Sequence, residues 1–126
     1  MEIPDDLLYT EEHEWIKSVG EGLVRIGITD YAQDQLGDVV YVELPEVGKQ
    51  VAKDVVLVEV ESTKSVGEVY APFAGKVSDV NESISESPEL VNQSPYENGW
   101  LVLLSLEGDM PTDGLLDAPA YRDLTE

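Results

Sequence analysis

The regular part of the chain alternates apolar and polar residues with a period of two, which is typical of half-buried β-strands. Val24, Ile26 and Ile28, for example, would share one face of a strand. The stretch 55–60 is so rich in β-branched residues that a helix is disfavoured there. The pattern predicts strands over residues 14–17, 23–28, 40–44, 55–60, 66–70, 76–80 and 100–106. We therefore expect a mainly β fold.

One short helix is predicted over residues 31–36, after the second strand. Asp30 is placed to cap this helix, with Gln33 three residues later as in a capping box, and Gly37 is placed to end it. A helix of this length is not stable alone in water, so packing must hold it.

Less regular structure is expected in the rest of the chain. Residues 81–95 are predicted as a polar loop, and the tail 107–126 is predicted to hold only short helical turns, around 112–116 and 120–124. The chain has 126 residues, which is the length of one domain. We expect residues 1–126 to form a single domain, with 107–126 packed on it as a C-terminal tail.

The composition is strongly acidic: 27 Asp and Glu residues stand against 7 Lys and Arg, for a formal net charge of −20. Nucleic-acid backbones and anionic membranes bind clustered cations, so both are disfavoured as partners. No apolar run approaches the ~20 residues that span a bilayer, and residues 1–6 lack the basic start of a signal peptide. The absence of cysteine fits a reducing compartment. We expect a cytoplasmic protein, and a monomer.

Few groups in the chain are suited to catalysis. The one histidine, His13, would have to be the base of any Ser/His/Asp triad, and we interpret it instead as a polar residue at the mouth of a strand. One histidine without cysteine also argues against a zinc site. Gly20 and Gly22 lead into a strand pattern and therefore do not form a phosphate-binding loop.

A lysine stands in a turn between two predicted strands. The residues Glu61-Ser62-Thr63-Lys64-Ser65 are predicted to form a tight hairpin with Lys64 at its tip. Most exposed lysines are merely solvated, and a lysine near its ordinary pKa of ~10.4 is a poor nucleophile. A protruding amine in a chain without catalytic groups is nevertheless well suited to carry a prosthetic group that reacts elsewhere.

The large aromatic residues are predicted to lie in the core, because each buries a large apolar area. They are Trp15, Tyr41, Phe73 and Trp100. Several glycines are predicted at turns or beside the hairpin, where close backbone approach or a positive φ favours glycine. They are Gly37, Gly48, Gly67 and Gly75.

Several motifs, in order along the chain, resemble the H protein of the glycine cleavage system. They are YTEEHEW (9–15), GITDYAQ (27–33), LGDVVYVELPEVG (36–48), VESTKS (60–65), APFAGKV (71–77) and SPYENGWL (94–101). The resemblance runs in register from about Leu8 to Leu104.

This resemblance implies a barrel-like sandwich of antiparallel sheets, with lipoate joined to Lys64 through an amide. It implies a carrier rather than an enzyme. A pyridoxal-phosphate glycine decarboxylase would load an aminomethyl group, an aminomethyltransferase would pass it to tetrahydrofolate, and a dihydrolipoyl dehydrogenase would reoxidise the dithiol. A lipoate ligase or octanoyl transferase would modify Lys64, with Glu61, Ser62, Thr63 and Ser65 as the recognition turn.

The resemblance also places a cleft between residues 11–15 and the start of the strand that follows Lys64. Glu14 and Glu68 are the acids expected there to hold the cationic amine of the loaded arm. Three positions depart from the usual pattern: Thr63 and Ser65 flank the lysine where many H proteins have Val and Ala, and Glu12 stands where a small residue such as Ser is often found.

Other classes of protein are alternative interpretations of this sequence. Biotin domains flank their lysine with methionine, whereas Met1 and Met110 are distant, and lipoyl domains of 2-oxo-acid dehydrogenases usually have Asp where Thr63 stands. A lipoyl relay protein that serves other carriers is a further alternative. The remaining one is an acidic β-domain that binds partners with Lys64 unmodified.

Overall fold

Nine β-strands and four short helices make up the structure, a computed structural model that describes residues 1–126. The strands are β1 (Leu8–Tyr9), β2 (Glu14–Gly20), β3 (Leu23–Ile28), β4 (Val39–Glu43), β5 (Gln50–Val51), β6 (Val56–Ser62), β7 (Val66–Tyr70), β8 (Gly75–Val80) and β9 (Val102–Ser105). The helices are α1 (Asp30–Leu36), α2 (Glu82–Glu86), α3 (Leu90–Gln93) and α4 (Ala118–Thr125). None of these helices has the length and apolar character needed to cross a membrane.

The strands pair antiparallel in two sheets. The larger sheet has the order β1-β2-β3-β9-β8-β5, and the smaller has the order β4-β6-β7. In the larger sheet, Ile16, Ile26 and Val102 lie opposite one another on neighbouring strands, and all are buried. Together with the inner face of the smaller sheet they form a cluster of 19 buried apolar residues. The prediction of a mainly β fold with antiparallel sheets is confirmed.

A second apolar cluster lies on the other face of the larger sheet. Trp15 and Ile16 are adjacent in a strand, so their side chains point to opposite faces, and Trp15 packs in a separate cluster with Tyr9 and Tyr121. Tyr121 comes from α4, where Ala118 is buried as well. The C-terminal helix therefore covers the outer face of the sheet near β1 and β2.

The short helix forms where it is predicted, but its cap is a different residue. Thr29, rather than Asp30, is the N-cap: its backbone is extended and its Oγ1 accepts a hydrogen bond from the Ala32 N–H at 3.2 Å. Asp30 is already helical and accepts a hydrogen bond from the Gln33 side chain at 2.7 Å. A cap residue keeps extended geometry, and Thr29 directly follows β3, which explains the shift. Gly37, with φ 83°, ends the helix as predicted.

The segment 81–95 is more ordered than predicted. It contains α2 and α3, and each of these helices buries one apolar residue, Ile84 and Val91 respectively. One buried residue in a single helical turn leaves too little periodicity to distinguish such a helix from a polar loop.

The C-terminal tail agrees with its prediction at residues 120–124 but differs from it at residues 112–116. Residues 112–115 form a single turn, in which the Leu115 N–H donates to the Thr112 carbonyl at 3.2 Å, but this turn is not helical, because Gly114 has a φ of 82°. Leu116 then makes a β-bridge with Tyr9. The predicted turn at 120–124 is part of α4, which is longer. Its N-cap is Asp117, whose Oδ1 accepts the Ala120 N–H at 3.0 Å.

The predicted core aromatics divide into buried and exposed residues. Trp15 and Phe73 are buried as predicted, whereas Trp100 is half-buried, with the Arg25 guanidinium 5.1 Å from its ring centroid. Tyr41 is 50% exposed, and its assignment to the core is wrong. The reason is that β4 belongs to the smaller sheet, and an irregular register between Val39 and Tyr41 turns Tyr41 away from the core.

Candidate functional site

The turn that carries Lys64 is stabilised by its own backbone and by one serine. The Ser62 N–H donates to the Ser65 carbonyl at 2.8 Å, and the Ser62 hydroxyl accepts from the N–H groups of Lys64 and Ser65 at 3.2 and 3.0 Å. The Thr63 N–H donates to the Asp38 carbonyl at 3.0 Å, which ties the turn to the chain between α1 and β4. The turn therefore keeps its shape without the Lys64 side chain.

Lys64 itself is exposed at the tip of the β6–β7 hairpin, as predicted. The only ion pair in the structure joins Arg122 and Asp5, so the Lys64 amine has no carboxylate partner. Its methylene groups pass over Gly37, where an added Cβ would lie 3.3 Å from Lys64 Cε. The absence of a side chain at Gly37 therefore leaves room for the methylene groups of Lys64.

Gly67 lets the hairpin pack closely on α1. A Cβ at this position would lie 3.0 Å from Leu36 Cδ2 and 3.3 Å from Cδ1, a contact tighter than side chains normally make. The φ of Gly67 is not positive, so close approach is the reason for glycine here. This contact fixes the position of the lysine turn relative to the helix.

A cleft of about 190 Å³ opens beside the hairpin, between three segments of the chain. Helix α1 contributes Tyr31 and Leu36, strand β7 contributes residues 67–69, and the turn before β2 contributes residues 12–14. The structure therefore brings Glu14 and Glu68 to one cleft, between the two segments that the resemblance indicates. A third acid, Glu12, lines the same cleft.

The two predicted acids differ in their surroundings. Glu14 is 2% exposed, and its carboxylate accepts hydrogen bonds from the Thr10 hydroxyl at 3.0 Å and from the Tyr70 N–H at 2.6 Å. Burial raises the pKa of Glu14 to about 7, although both hydrogen bonds favour the ionised form. Glu68 is exposed and accepts a hydrogen bond from the Tyr70 hydroxyl at 3.3 Å. Glu14 is thus both a cleft residue and a link between the two sheets.

A larger groove of about 550 Å³ lies on the other side of Glu14. Its walls carry several acids, among them Glu11, Asp54 and Glu107, together with Lys53. It begins at Tyr70 and does not reach Gly67 or the residues that contact the lysine turn. The smaller cleft, which is lined by Leu36 and Gly67, is therefore the one beside the lysine hairpin.

Sequence reasoning missed the surroundings of His13. This residue is not merely a polar group at a strand mouth, because its Nδ1 lies 2.8 Å from the Tyr121 hydroxyl and its ring lies 4.7 Å from the ring of Tyr31. Its backbone is left-handed, with φ 67°. The signal that was available is Tyr121, a lone aromatic residue in a polar tail next to good helix formers.

A two-sheet β fold with an exposed lysine at the tip of a hairpin turn is the arrangement in which a carrier protein presents an attached group to enzymes that carry out the chemistry. The family model described as Glycine cleavage H-protein matches residues 7–126. The chain belongs to the glycine cleavage H-protein family, a family of lipoyl carriers of the glycine cleavage system.

Relatives agree along nearly the whole chain. The glycine cleavage system H protein of Mycolicibacterium smegmatis is 56% identical over 124 residues, covering 96% of this chain and 95% of the relative. That of Anaeromyxobacter sp. (strain K) is 51% identical over 126 residues, covering 100% and 98%. A crystal structure of the H protein from Mycobacterium marinum matches with a TM-score of 0.87 at 39% identity, covering 96% and 97%. The resemblance found in the motifs is confirmed, and it extends through the tail beyond Leu104.

Proposed function

We propose that this chain carries lipoate on Lys64 and thereby shuttles the aminomethyl group of glycine between enzymes. The donor is a pyridoxal-phosphate glycine decarboxylase, the acceptor is a tetrahydrofolate-dependent aminomethyltransferase, and a dihydrolipoyl dehydrogenase restores the disulfide. The observation that carries this proposal is the exposed position of Lys64 at the tip of the β6–β7 hairpin, on a turn whose hydrogen bonds are complete without its side chain.

The residues around Lys64 fit such a group. An amide between the Lys64 amine and the lipoate carboxyl removes the positive charge of the lysine, and no ion pair is lost in doing so. Gly37 has no side chain to obstruct the Lys64 methylene groups, which lie over the end of α1. When attached, lipoate supplies a disulfide that accepts the aminomethyl group as it is reduced.

The residues next to Lys64 form the surface that a lipoate ligase or octanoyl transferase recognises. Thr63 and Ser65 are exposed beside the lysine, and Ser62 shapes the turn through its hydroxyl. Glu61 lies one position further back in β6, opposite Val66 of β7. Together they present both a defined backbone shape and a charge near the acceptor amine.

Glu14 and Glu68 are the acids that hold the amine of the loaded arm in the cleft. A cation beside the buried Glu14 carboxylate interacts in a medium of low dielectric, where an ion pair is stronger than at the surface. Such a cation lowers the raised pKa of Glu14 and favours its charged form. Glu68 is exposed and therefore contributes less.

A transfer assay tests the proposal. The lipoylated chain is incubated with glycine decarboxylase and glycine labelled at the methylene carbon, and label on the chain is counted before and after aminomethyltransferase and tetrahydrofolate are added. We expect label to accumulate and then to leave for the folate. The Lys64→Arg chain should gain no label, whereas Lys49→Arg, another exposed lysine, should behave as the wild type. Equal labelling of Lys64→Arg would contradict the proposal.

A further inference from the structure

The C-terminal helix reaches the wall of the cleft through Tyr121. The Tyr121 ring is fully buried and stacked on Tyr9, with ring centroids 4.6 Å apart. Its hydroxyl oxygen lies 2.8 Å from Nδ1 of His13 and 2.7 Å from Oγ1 of Thr29. His13 lines the cleft. Tyr121, which is 108 residues further along the chain than His13, therefore contacts a residue that lines the cleft.

The direction of these hydrogen bonds follows from the groups available. Thr29 is fully buried and its Oγ1 accepts the Ala32 N–H, so the Thr29 hydroxyl hydrogen has the Tyr121 oxygen as its acceptor. Burial raises the pKa of Tyr121 to about 12, so its hydroxyl stays protonated and donates to Nδ1 of His13. His13 is then neutral and carries its proton on Nε2.

The backbone of His13 also needs support. A φ of 67° is uncommon for a residue with a side chain, and it persists only where neighbouring groups hold it. The His13 N–H donates to the Thr10 carbonyl, and the His13 carbonyl accepts from the Thr29 N–H, both at 3.1 Å. The bond from Tyr121 holds the ring, which packs on Tyr31.

We propose that Tyr121 is a positioning residue for the arm: by holding the ring of His13 it fixes the turn that carries Glu12 and Glu14, and so sets how long the loaded arm stays in the cleft. This inference rests on the proposed function, because it concerns the group that Lys64 carries. It gives α4 a part in the carrier cycle, since Tyr121 of this helix contacts His13, which lines the cleft.

Protonation of His13 opposes this arrangement. An imidazolium has no acceptor at Nδ1, so Tyr121 would have to donate to Thr29, and the buried Thr29 hydrogen would lose its acceptor. Burial lowers the pKa of His13, against the effect of the neighbouring Glu12. The other titratable groups around the ring come from its own turn, from β7, from α1 and from α4; they are Glu14, Glu68, Tyr31 and Tyr121.

The contact is tested first on the unmodified protein, so lipoate plays no part. His13 is the only histidine, and its ring nitrogens give unambiguous signals in long-range ¹H–¹⁵N spectra. We expect an unprotonated Nδ1, a protonated Nε2 and a pKa below 6.5. Tyr121→Phe, which keeps the ring but removes the hydroxyl, should mix the two tautomers and raise the pKa toward 6.5. Tyr9→Phe, which loses a bond to the Pro4 carbonyl, is the matched control and should change neither. A protonated Nδ1 in the wild type, or no change in Tyr121→Phe, would overturn the inference.

The second test measures the lifetime of the aminomethyl group on the loaded protein without the transferase. Tyr121→Phe should shorten it about three- to tenfold, the range expected for one lost hydrogen bond, and Tyr9→Phe should not. In a His13→Asn background, where asparagine tolerates the left-handed backbone, Tyr121→Phe should have no further effect. If the wild type and Tyr121→Phe load normally and the aminomethyl group has the same lifetime on both, the role of Tyr121 is refuted and the proposed function is not. Failure of the wild type to load would refute the proposed function, and the role of Tyr121 in holding the arm with it.

Discussion

The Gly67→Val substitution tests whether the hairpin must pack closely on α1 for Lys64 to be modified. The new Cβ would lie 3.0 Å from Leu36 Cδ2, so Leu36 has to shift, and the two methyl groups of valine add to the crowding. Overpacking of this kind costs about 1–3 kcal/mol, whereas replacing glycine restricts the unfolded chain and returns about 0.4–1 kcal/mol. The net loss should be about 1–2 kcal/mol, or roughly 3–8 °C in Tm for a domain of this size.

The assay combines thermal unfolding with the initial rate of lipoylation by a purified ligase. Gly67→Val should lower both, because the displaced hairpin presents Lys64 in a different position. Gly20→Val is the matched control: it is a strand glycine without a positive φ, and its Cβ would lie 3.6 Å from Leu23 Cδ1, an ordinary contact. Gly20→Val should leave the lipoylation rate unchanged. Wild-type Tm and wild-type rate in Gly67→Val would refute the argument from close packing.

Three further predictions concern charge. Burial raises the pKa of Glu14 from 4.5 to about 7, so the folded protein keeps a proton that the unfolded chain loses in this window. The resulting stability is present below pH 4.5 and is lost as the pH rises through 7. This loss of up to about 3 kcal/mol should be absent from denaturant unfolding curves of Glu14→Gln. Identical pH profiles of stability in the wild type and Glu14→Gln would contradict this expectation. The loaded aminomethyl group should decay faster in Glu14→Gln than in the wild type, with a smaller effect in Glu68→Gln. Equal lifetimes in all three proteins would show that neither acid holds the loaded arm. The net charge of −20 should steer the carrier to basic partner surfaces, so the apparent KM of the decarboxylase for this protein should rise with ionic strength, and a flat dependence would argue against steering.

The strands and the lysine turn were predictable because their signals are local. Alternation in residues 23–28 needs only neighbouring positions to define a buried face. The turn around Lys64 lies between two predicted strands, and its shape depends mainly on Ser62, two residues away. Local patterns of this kind can be recognised in the sequence without knowledge of the tertiary structure.

The parts that were not predictable depend on contacts between distant segments. The burial of Glu14 arises because β7 presents the Tyr70 N–H to it, 56 residues further along the chain. His13 takes its importance from Tyr121, at a separation of 108 residues. Tyr41 fails in the opposite direction: a register irregularity between Val39 and Tyr41 breaks the alternation of β4, so that Tyr41 faces solvent.

The most direct test of the central claim is the intact mass of the chain purified from its native host, with peptide mapping of the modified residue. We expect an added mass of ~188 Da, the value for one lipoyl group, located on the peptide that contains Lys64. The same measurement on Lys64→Arg should give the unmodified mass, and Lys49→Arg should still carry the addition. An unmodified wild-type chain, or a lipoyl group on any other lysine, would contradict the account.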